Sequence, residues 1–402
     1  MEQVITCGLD VHKETIFCAL YQEGKKSEVM QYAAFTSELV QMAQMLKDHG
    51  VKQIAMESTG IYWVPVWNVL EKEGFELLLV NPYLIKQMPG RKSDVKDSQW
   101  IAQLLYKGML KASIVPCDRI RELRCYSREY VKLQSYLTRV TQKMERILET
   151  ANIRICSLVS KNNSKTVIEI IKSIIAGKQS IDDLLPLVHG RILNAKGEEV
   201  KKALEGFIKS EHQFTLSLAM QQYELYTLQC QQVEAKMKSL CDTHYKEEKA
   251  LLESIPGIQA QAAMQIIAET GADMSVFENS SKLTSWVGLR PRNDESAGKI
   301  KSKATTKGNS YLRRIMVQVA WAASRTKGSH CKEKYQQLAA RKSPKKALIA
   351  LARKQLTVVW NVLQYKQVYD PTKQPAVSTE RLEQRMKYHQ KQLEKLNGLK
   401  TA

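Results

Sequence analysis

The first 115 residues impose an order of elements: three strand-like runs follow one another before any helix, and helix and strand alternate from there on. Residues 4–10, 14–22 and 28–35 read as strands joined by short turns, with Glu23-Gly24-Lys25-Lys26 a hairpin loop between the second and third. A helix near 37–49, a strand at 52–57 and a helix at 61–73 come next, then the apolar strand Glu76-Leu77-Leu78-Leu79-Val80. Asn81-Pro82 marks a loop, and an apolar-periodic helix begins with Asp94 and Asp97.

Three meandering strands followed by alternating helices and strands is the order of a ribonuclease-H-like α/β fold, in which the first and fourth strands are neighbours. That adjacency would bring Asp10, which ends the first run, beside Glu57, which closes Ile54-Ala55-Met56-Glu57. Asp94 and Asp97 are three apart and so share one helical face. Carboxylates ending buried strands are costly unless paired or bound to a cation. Converging acids from two strands and a helix suit Mg²⁺, a hard ion that takes oxygen ligands and often works in pairs on phosphates. A single strand-borne Asp is usually a cap or ion-pair member; four such acids together point to a phosphoryl-transfer centre. Arg91, Lys92 and Lys96 flank the last two acids, either to hold a phosphate or as a solvated helix end. His12, two residues after Asp10, is too isolated in sequence to be assigned as a base.

A formal charge of +20, from 61 Lys and Arg against 41 Asp and Glu, predicts attraction to polyanions, and nucleic acid foremost. No long apolar run or lipidation signal points to a membrane, and the N-terminus lacks a signal-peptide pattern, so a cytoplasmic protein is expected. The eight cysteines are scattered singly, without CxxC or paired-His spacing, and read as free buried thiols. At 402 residues, two or three domains are expected.

The middle of the chain is helical. Leu123, Tyr126, Tyr130, Leu133, Leu137, Val140, Met144, Ile147 and Ala151 alternate spacings of three and four. So do Leu216, Ala219, Tyr223, Tyr226, Cys230, Val233, Met237 and Leu240. This is a coiled-coil signal, and the tyrosines and cysteine on the seams suggest that the two helices pair together or join a small bundle. The region is an arm or oligomerisation element, or a plain helical spacer. Residues 161–205 read as short helices and loops.

The third region opens with Ile255-Pro256-Gly257-Ile258, a turn that resembles a helix-hairpin-helix element but equally suits an ordinary Pro-Gly turn. Between 282 and 314 lie nine Lys or Arg and only two acids, so this loop reads as a phosphate-binding surface, with Arg290, Arg292, Lys299, Lys301, Lys303, Lys307, Arg313 and Arg314 among its cations. Within it Ser296 stands beside small residues that let a backbone approach closely, which makes it the best-placed nucleophile, although Ser302 and Ser310 compete and loop serines usually just cap turns. A basic helix from Arg325 to Lys354 either extends this surface or is a solvated face, and apolar helices near 311–324 and 346–365 form a second core. The tail after residue 370 reads as peripheral.

The chain resembles the DEDD transposases of bacterial insertion sequences, the 110 family and its 1111 subgroup. The resemblance rests on Gly8-Leu9-Asp10-Val11-His12-Lys13, Met56-Glu57-Ser58-Thr59-Gly60-Ile61-Tyr62-Trp63 and Pro89-Gly90-Arg91-Lys92-Ser93-Asp94-Val95-Lys96-Asp97. It continues through Ile255-Pro256-Gly257, Asn293-Asp294-Glu295-Ser296-Ala297-Gly298-Lys299, Thr306-Lys307-Gly308-Asn309 and Trp321-Ala322-Ala323. It implies an α/β RuvC-like domain over 1–115, a helical coiled-coil arm over 116–248, a mainly helical C-terminal transposase domain over 249–370 and a basic tail over 371–402. It further implies that Asp10, Glu57, Asp94 and Asp97 bind Mg²⁺, and that Ser296 attacks DNA to give a phosphoserine. The partners it implies are donor and target DNA, a structured non-coding bridge RNA, and further copies of the chain in a dimer or tetramer. Lys303 departs from the glycine of many relatives, and Ala297 is typical of the subgroup only. The rival expectations are a RuvC-like junction endonuclease that uses water, and a non-catalytic nucleic-acid-binding scaffold.

Overall fold

The computed structural model of the chain describes residues 4–23, 28–82, 94–292, 294–296, 299–302, 304–371, 390 and 394; the side chains of 94, 95, 294–296 and 299–301 are outside that description. The chain divides into two compact units, residues 1–116 and 117–402.

In the first unit the strands are β1 (Thr6–Val11), β2 (Thr15–Tyr21), β3 (Glu28–Ala33), β4 (Gln53–Glu57) and β5 (Glu76–Val80). They form one sheet in the order β3-β2-β1-β4-β5. The first three are antiparallel in sequence, as short turns require, and β1, β4 and β5 run parallel. The first and fourth strands are therefore neighbours, as the element order led one to expect. Helices α1 (Thr36–Asp48) and α2 (Trp63–Lys72) supply the crossovers, and α3 (Asp94–Tyr106) covers part of the sheet.

Every residue of β1 is buried, because the strand is central and covered on both faces. Its alternation sorts the two faces. Cys7, Leu9 and Val11 join Ile54 and Met56 of β4 in one core with Leu39, Met42 and Leu46 of α1 and Val66, Trp67 and Leu70 of α2. On the opposite face, Ala55 packs with Val80, Ile101 and Leu105 in a second cluster. The backbone of α3 lies directly on β1 there: a Cβ at Gly8 would sit 2.3 Å from the Ser98 carbonyl oxygen and 2.4 Å from the Ala102 nitrogen. Only glycine allows this approach.

In the second unit, α4 (Asp118–Thr150) and α8 (Ser210–His244) are the two long helices expected from the spacing, and they pair antiparallel. Gln134 reaches Cys230 and the Tyr136 ring meets Tyr226 at 5.4 Å. Between them come α5 (Lys165–Ile175), α6 (Ile181–Leu184) and α7 (Gly190–Leu204). The coiled-coil expectation needs correction in its detail. Ser127 and Leu148 are buried although the three-four spacing omits them, while Tyr126, Tyr130, Leu137 and Ile147 are half-buried. Val140, Met144 and Leu148 share a core with Val167, Ile170, Ile171 and Ile174 of α5 as well as Leu216 and Ala219 of α8. A third layer widens the apolar face there, so this end is a small helical bundle rather than a two-helix seam.

The rest of the unit comprises α9 (Lys246–Glu253), α10 (Ala260–Thr270), α11 (Ser280–Trp286), the strands β6 (Asp294–Ser296) and β7 (Lys299–Ser302), and α12 (Ser310–Ala323), α13 (His330–Ala339) and α14 (Pro344–Tyr365). Two further corrections fall here. The expected basic helix from Arg325 to Lys354 is two helices, because Ser343 and Pro344 start a new one at Pro344. The basic loop after residue 290 holds a two-stranded antiparallel hairpin, β6 with β7. Of the expected free buried thiols, six are buried, but Cys117 and Cys125 are exposed. The basic tail lies outside the described residues except for 371, 390 and 394.

Candidate functional site

The register of the first sheet places its acids. Leu9 pairs with Met56 across the parallel β1–β4 ladder, so Asp10 and Glu57 are the next residues on two adjacent strands, about 4.8 Å apart. Since Leu9 and Met56 both face the core under α1 and α2, Asp10 and Glu57 belong to the opposite phase, on the face that α3 covers. The direction of α3 then follows from two contacts. Thr6 donates its hydroxyl to the Ala102 carbonyl at 3.0 Å, and Gly8 lies against Ser98 and Ala102. Two strand residues advance about 6.6 Å and four helical residues about 6 Å, so α3 runs antiparallel to β1 and its first turn is level with Asp10. Positions 94 and 97 are on that turn. The expectation that two strands and a helix bring these four positions to one end of the sheet therefore agrees with the backbone.

The described side chains there are polar and close. Asp10 is 7% exposed, and its Oδ2 lies 3.2 Å from Nε2 of His12. His12, which sequence isolation left without a role, is thus a direct neighbour of the first acid. Glu57 accepts a hydrogen bond from the Thr59 hydroxyl at 2.8 Å, and Asp97 is half-buried one turn into α3. Among the described residues no three His, Cys, Asp or Glu side chains come close enough to hold a metal ion, and the side chain of Asp94 lies outside them. The donor set still fits a hard cation in kind: carboxylate oxygens, one of them almost fully buried, at the carboxyl ends of parallel strands. Lys96 is exposed on α3; Arg91 and Lys92 lie outside the described residues.

In the second unit, Ser296 is the last residue of β6, paired with Lys299 at the start of β7, which leaves two residues between them. The hairpin stem continues inward: Pro291 bridges Thr305, the Arg292 N–H donates to the Ala304 carbonyl, and the Thr306 N–H donates to the Arg290 carbonyl. Arg290, Arg292, Lys307 and Arg314 are exposed along this stem and its exit. Arg313, expected to contact nucleic acid, is half-buried and donates to the Thr305 hydroxyl at 2.9 Å, so it braces the stem. Lys303 and the side chains of Ser296, Lys299 and Lys301 lie outside the described residues.

The stem is anchored to a buried charge that the sequence did not single out. Glu269 at the end of α10 is 1% exposed and accepts two hydrogen bonds from the Arg128 fork, each 3.0 Å. Asn309 donates to it at 2.6 Å and, with its own side-chain oxygen, accepts from the N–H groups of Tyr311 and Leu312, which caps α12. Arg124 donates to the backbone carbonyls of Ala268 and Glu269. Burial pulls the Arg124 guanidinium below its ordinary range, with Glu269 opposing that pull. Burial is the largest influence on Arg128 and acts to lower it, but the hydrogen bonds to Glu269 together with the Glu269 charge and Tyr311 hold it above the ordinary range. A lone Glu in an apolar helix gave no signal, because its partners come from segments 40 residues away on one side and 141 on the other.

Residues 7–153 match a family of transposases, the DEDD type of IS110, and residues 249–336 match the "Transposase IS116/IS110/IS902 family". Similar proteins include the transposase for insertion sequence element IS1111A of Coxiella burnetii, 28% identical over 144 residues, which is 34% of this chain and 38% of that protein. The y4pF/y4sB protein of Sinorhizobium fredii is 27% identical over 160 residues, 36% of this chain and 40% of its own length. The matched stretch thus spans about two fifths of these curated relatives. Structures of Thermus thermophilus RuvC, alone and with a Holliday junction substrate, each cover 27% of this chain at 14% and 13% identity, with TM-scores of 0.22 and 0.21. The ribonuclease-H-like fold stands on the strand order. The two units of the chain carry the acid-bearing and the serine-bearing segments of one transposase class. The chain belongs to the IS110 family of transposases.

Proposed function

We propose that the chain is a DNA transposase that excises and integrates its own insertion sequence by strand cleavage and exchange through a phosphoserine intermediate. The observation that carries this reading is the placement of Asp10 and Glu57 side by side on one sheet face, with the first turn of α3 level with them. Asp10, Glu57, Asp94 and Asp97 would hold Mg²⁺, which supplies Lewis-acid polarisation of a phosphate and neutralises its charge. His12 restrains the Asp10 carboxylate at 3.2 Å, and Thr59 does the same for Glu57. The exposed cations Arg290, Arg292, Lys307 and Arg314, with Lys92, Lys96, Lys299, Lys301 and Lys303, attract the phosphate backbone. The Ser296 hydroxyl attacks a DNA phosphorus. The P–O bond to the 3′ oxygen breaks, that oxygen leaves as a hydroxyl with the proton the serine lost, and the strand stays joined through its phosphate to Oγ. Attack by a different 3′-hydroxyl reverses these bonds and exchanges strands without external energy. Donor and target DNA are the substrates, and a bridge RNA selects sites by base pairing.

Self-association is part of this reading. Phe214, Leu218, Leu225 and Leu228 recur at spacings of four, seven and three on α8 and are 62%, 40%, 51% and 52% exposed, an apolar stripe suited to a second copy. Among the described residues no helix is long and apolar enough to cross a membrane.

The test is a covalent-adduct trap: the wild type and Ser296→Ala are expressed with the flanking DNA, denatured, and probed for protein-linked DNA. An adduct in the wild type alone is expected. Mg²⁺-dependent nicks in both, with no adduct, would make the protein a hydrolytic endonuclease instead.

A further inference from the structure

A polar groove runs along α4 in the second unit, apart from the hairpin. One part, about 630 Å³, lies between α4, α10 and α12; the next, about 400 Å³, continues along α4 to the loop at 160–163. Gln134 and Thr138 line both parts, so the two adjoin along one face of α4. Its chemistry is one-sided. Arg139 and Arg314 line the first part and Lys161 the second; the other polar lining is amide or hydroxyl, and among the described residues no carboxylate lines either.

Gln261 lines this groove, and both its side-chain nitrogen and oxygen are buried without a hydrogen-bond partner. An amide left so costs about 1–3 kcal/mol per unsatisfied group, and a turn of the Gln261 side chain into the groove would let a ligand presenting both an acceptor and a donor recover it. A base edge has that pattern, and the cations supply the complement to phosphates. A duplex is convex and is read by elements that enter its grooves. A concave channel of amides instead receives a strand whose bases are unpaired.

We propose that this groove binds a single-stranded segment of nucleic acid, with Gln261 reading a base and Arg139 and Lys161 holding the backbone. The proposal rests on the reading of the chain as a nucleic-acid enzyme and adds a site separate from its chemistry. The source of the strand, RNA or opened DNA, is settled by the same experiment.

Fluorescence anisotropy of the full chain with labelled oligonucleotides of about 16 nucleotides, as single-stranded RNA, single-stranded DNA and duplex DNA, supplies the test. Arg139→Gln with Lys161→Gln is expected to weaken single-strand binding about tenfold, and to flatten the slope of log affinity against log salt by about 0.7 for each lost phosphate contact. Gln261→Leu is expected to weaken it about fivefold with the salt slope unchanged, since it removes no charge. Duplex binding should hold in all of these. The tighter of the two single-strand ligands identifies the source. Circular dichroism confirms that each variant is folded, and both altered cations are exposed. Groove variants that bind single strands as the wild type does, while Arg290→Glu with Arg292→Glu loses nucleic acid, would overturn the groove and leave the proposed function standing. A wild type that binds no nucleic acid would overturn both.

Discussion

Asp10 and Glu269 are both acids withdrawn from water, and they are tolerated for different reasons. Glu269 has its carboxylate fully engaged by the Arg128 fork and Asn309. Removing one member of such a buried pair leaves an uncompensated charge, so Glu269→Ala should cost about 3–5 kcal/mol in urea denaturation. A change below 1 kcal/mol would remove the hub from the account of stability. Asp10 meets the His12 imidazole at the sheet end that also carries Glu57 and the first turn of α3, where the proposed function puts the metal. Asp97→Ala and Ser296→Ala should therefore each abolish transposition and adduct formation in a plasmid excision assay, shift stability by less than about 0.5 kcal/mol, and leave nucleic-acid binding intact. Retained excision in either would contradict its assigned role. A third residue supplies a pH dependence. Burial and the neighbouring Lys354 hold the His330 imidazole below its ordinary range. The unfolded chain then binds the proton more readily than the folded one, so this contribution is whole above the ordinary histidine value and is lost as pH falls through it and on towards the folded value. His330→Gln should flatten the fall in melting temperature between about pH 7 and 5.

At the scale of elements, close backbone approach accounts for several of the recurring glycine motifs. Gly8 lets α3 lie on β1, and that contact sets the level of the first turn of α3 against Asp10. Gly8→Ala places a methyl 2.3 Å from a carbonyl oxygen, so overpacking should cost about 1–3 kcal/mol and shift α3 away from the sheet. The expected result is a lower melting temperature together with lost DNA cleavage; full cleavage would show that the position of α3 does not matter. Gly288 and Gly308 meet backbone to backbone in the same manner, which ties the start of the hairpin stem to its exit. Gly257 in the Pro-Gly turn packs on α12 at Val319 and Ala323. Strand and helix order in the first unit was legible because a period of two and a period of 3.6 are distinct over runs of this length. The β6–β7 hairpin was not, since three- and four-residue strands whose one apolar residue is Ile300 have no apolar period. The break before Pro344 was written in Ser343-Pro344 but lay inside a uniformly basic stretch that read as one face.

For the whole molecule, the excess of 20 positive charges predicts steep salt dependence: affinity for DNA should fall about 10³-fold or more between 50 and 200 mM salt if six or more phosphates are contacted. A flat response in a filter-binding titration would argue against a backbone-tracking surface. The exposed stripe on α8 belongs to this scale as well, and Leu225→Glu with Leu228→Glu should shift the sedimentation coefficient to that of a monomer without unfolding the chain. An unchanged assembly would place self-association elsewhere. The sequence by itself determined the element order, the acids that end the strands, the serine with its flanking cations and the two long apolar-seamed helices, because each is a local pattern of period, charge or spacing. Only the tertiary structure decided that Asp10 and Glu57 share a sheet face, that His12 meets Asp10, that Arg313 braces a stem and that Glu269 joins α4, α10 and the cap of α12. Those facts depend on register and on partners far apart in the chain, and no local pattern encodes which distant group will arrive to satisfy a buried charge.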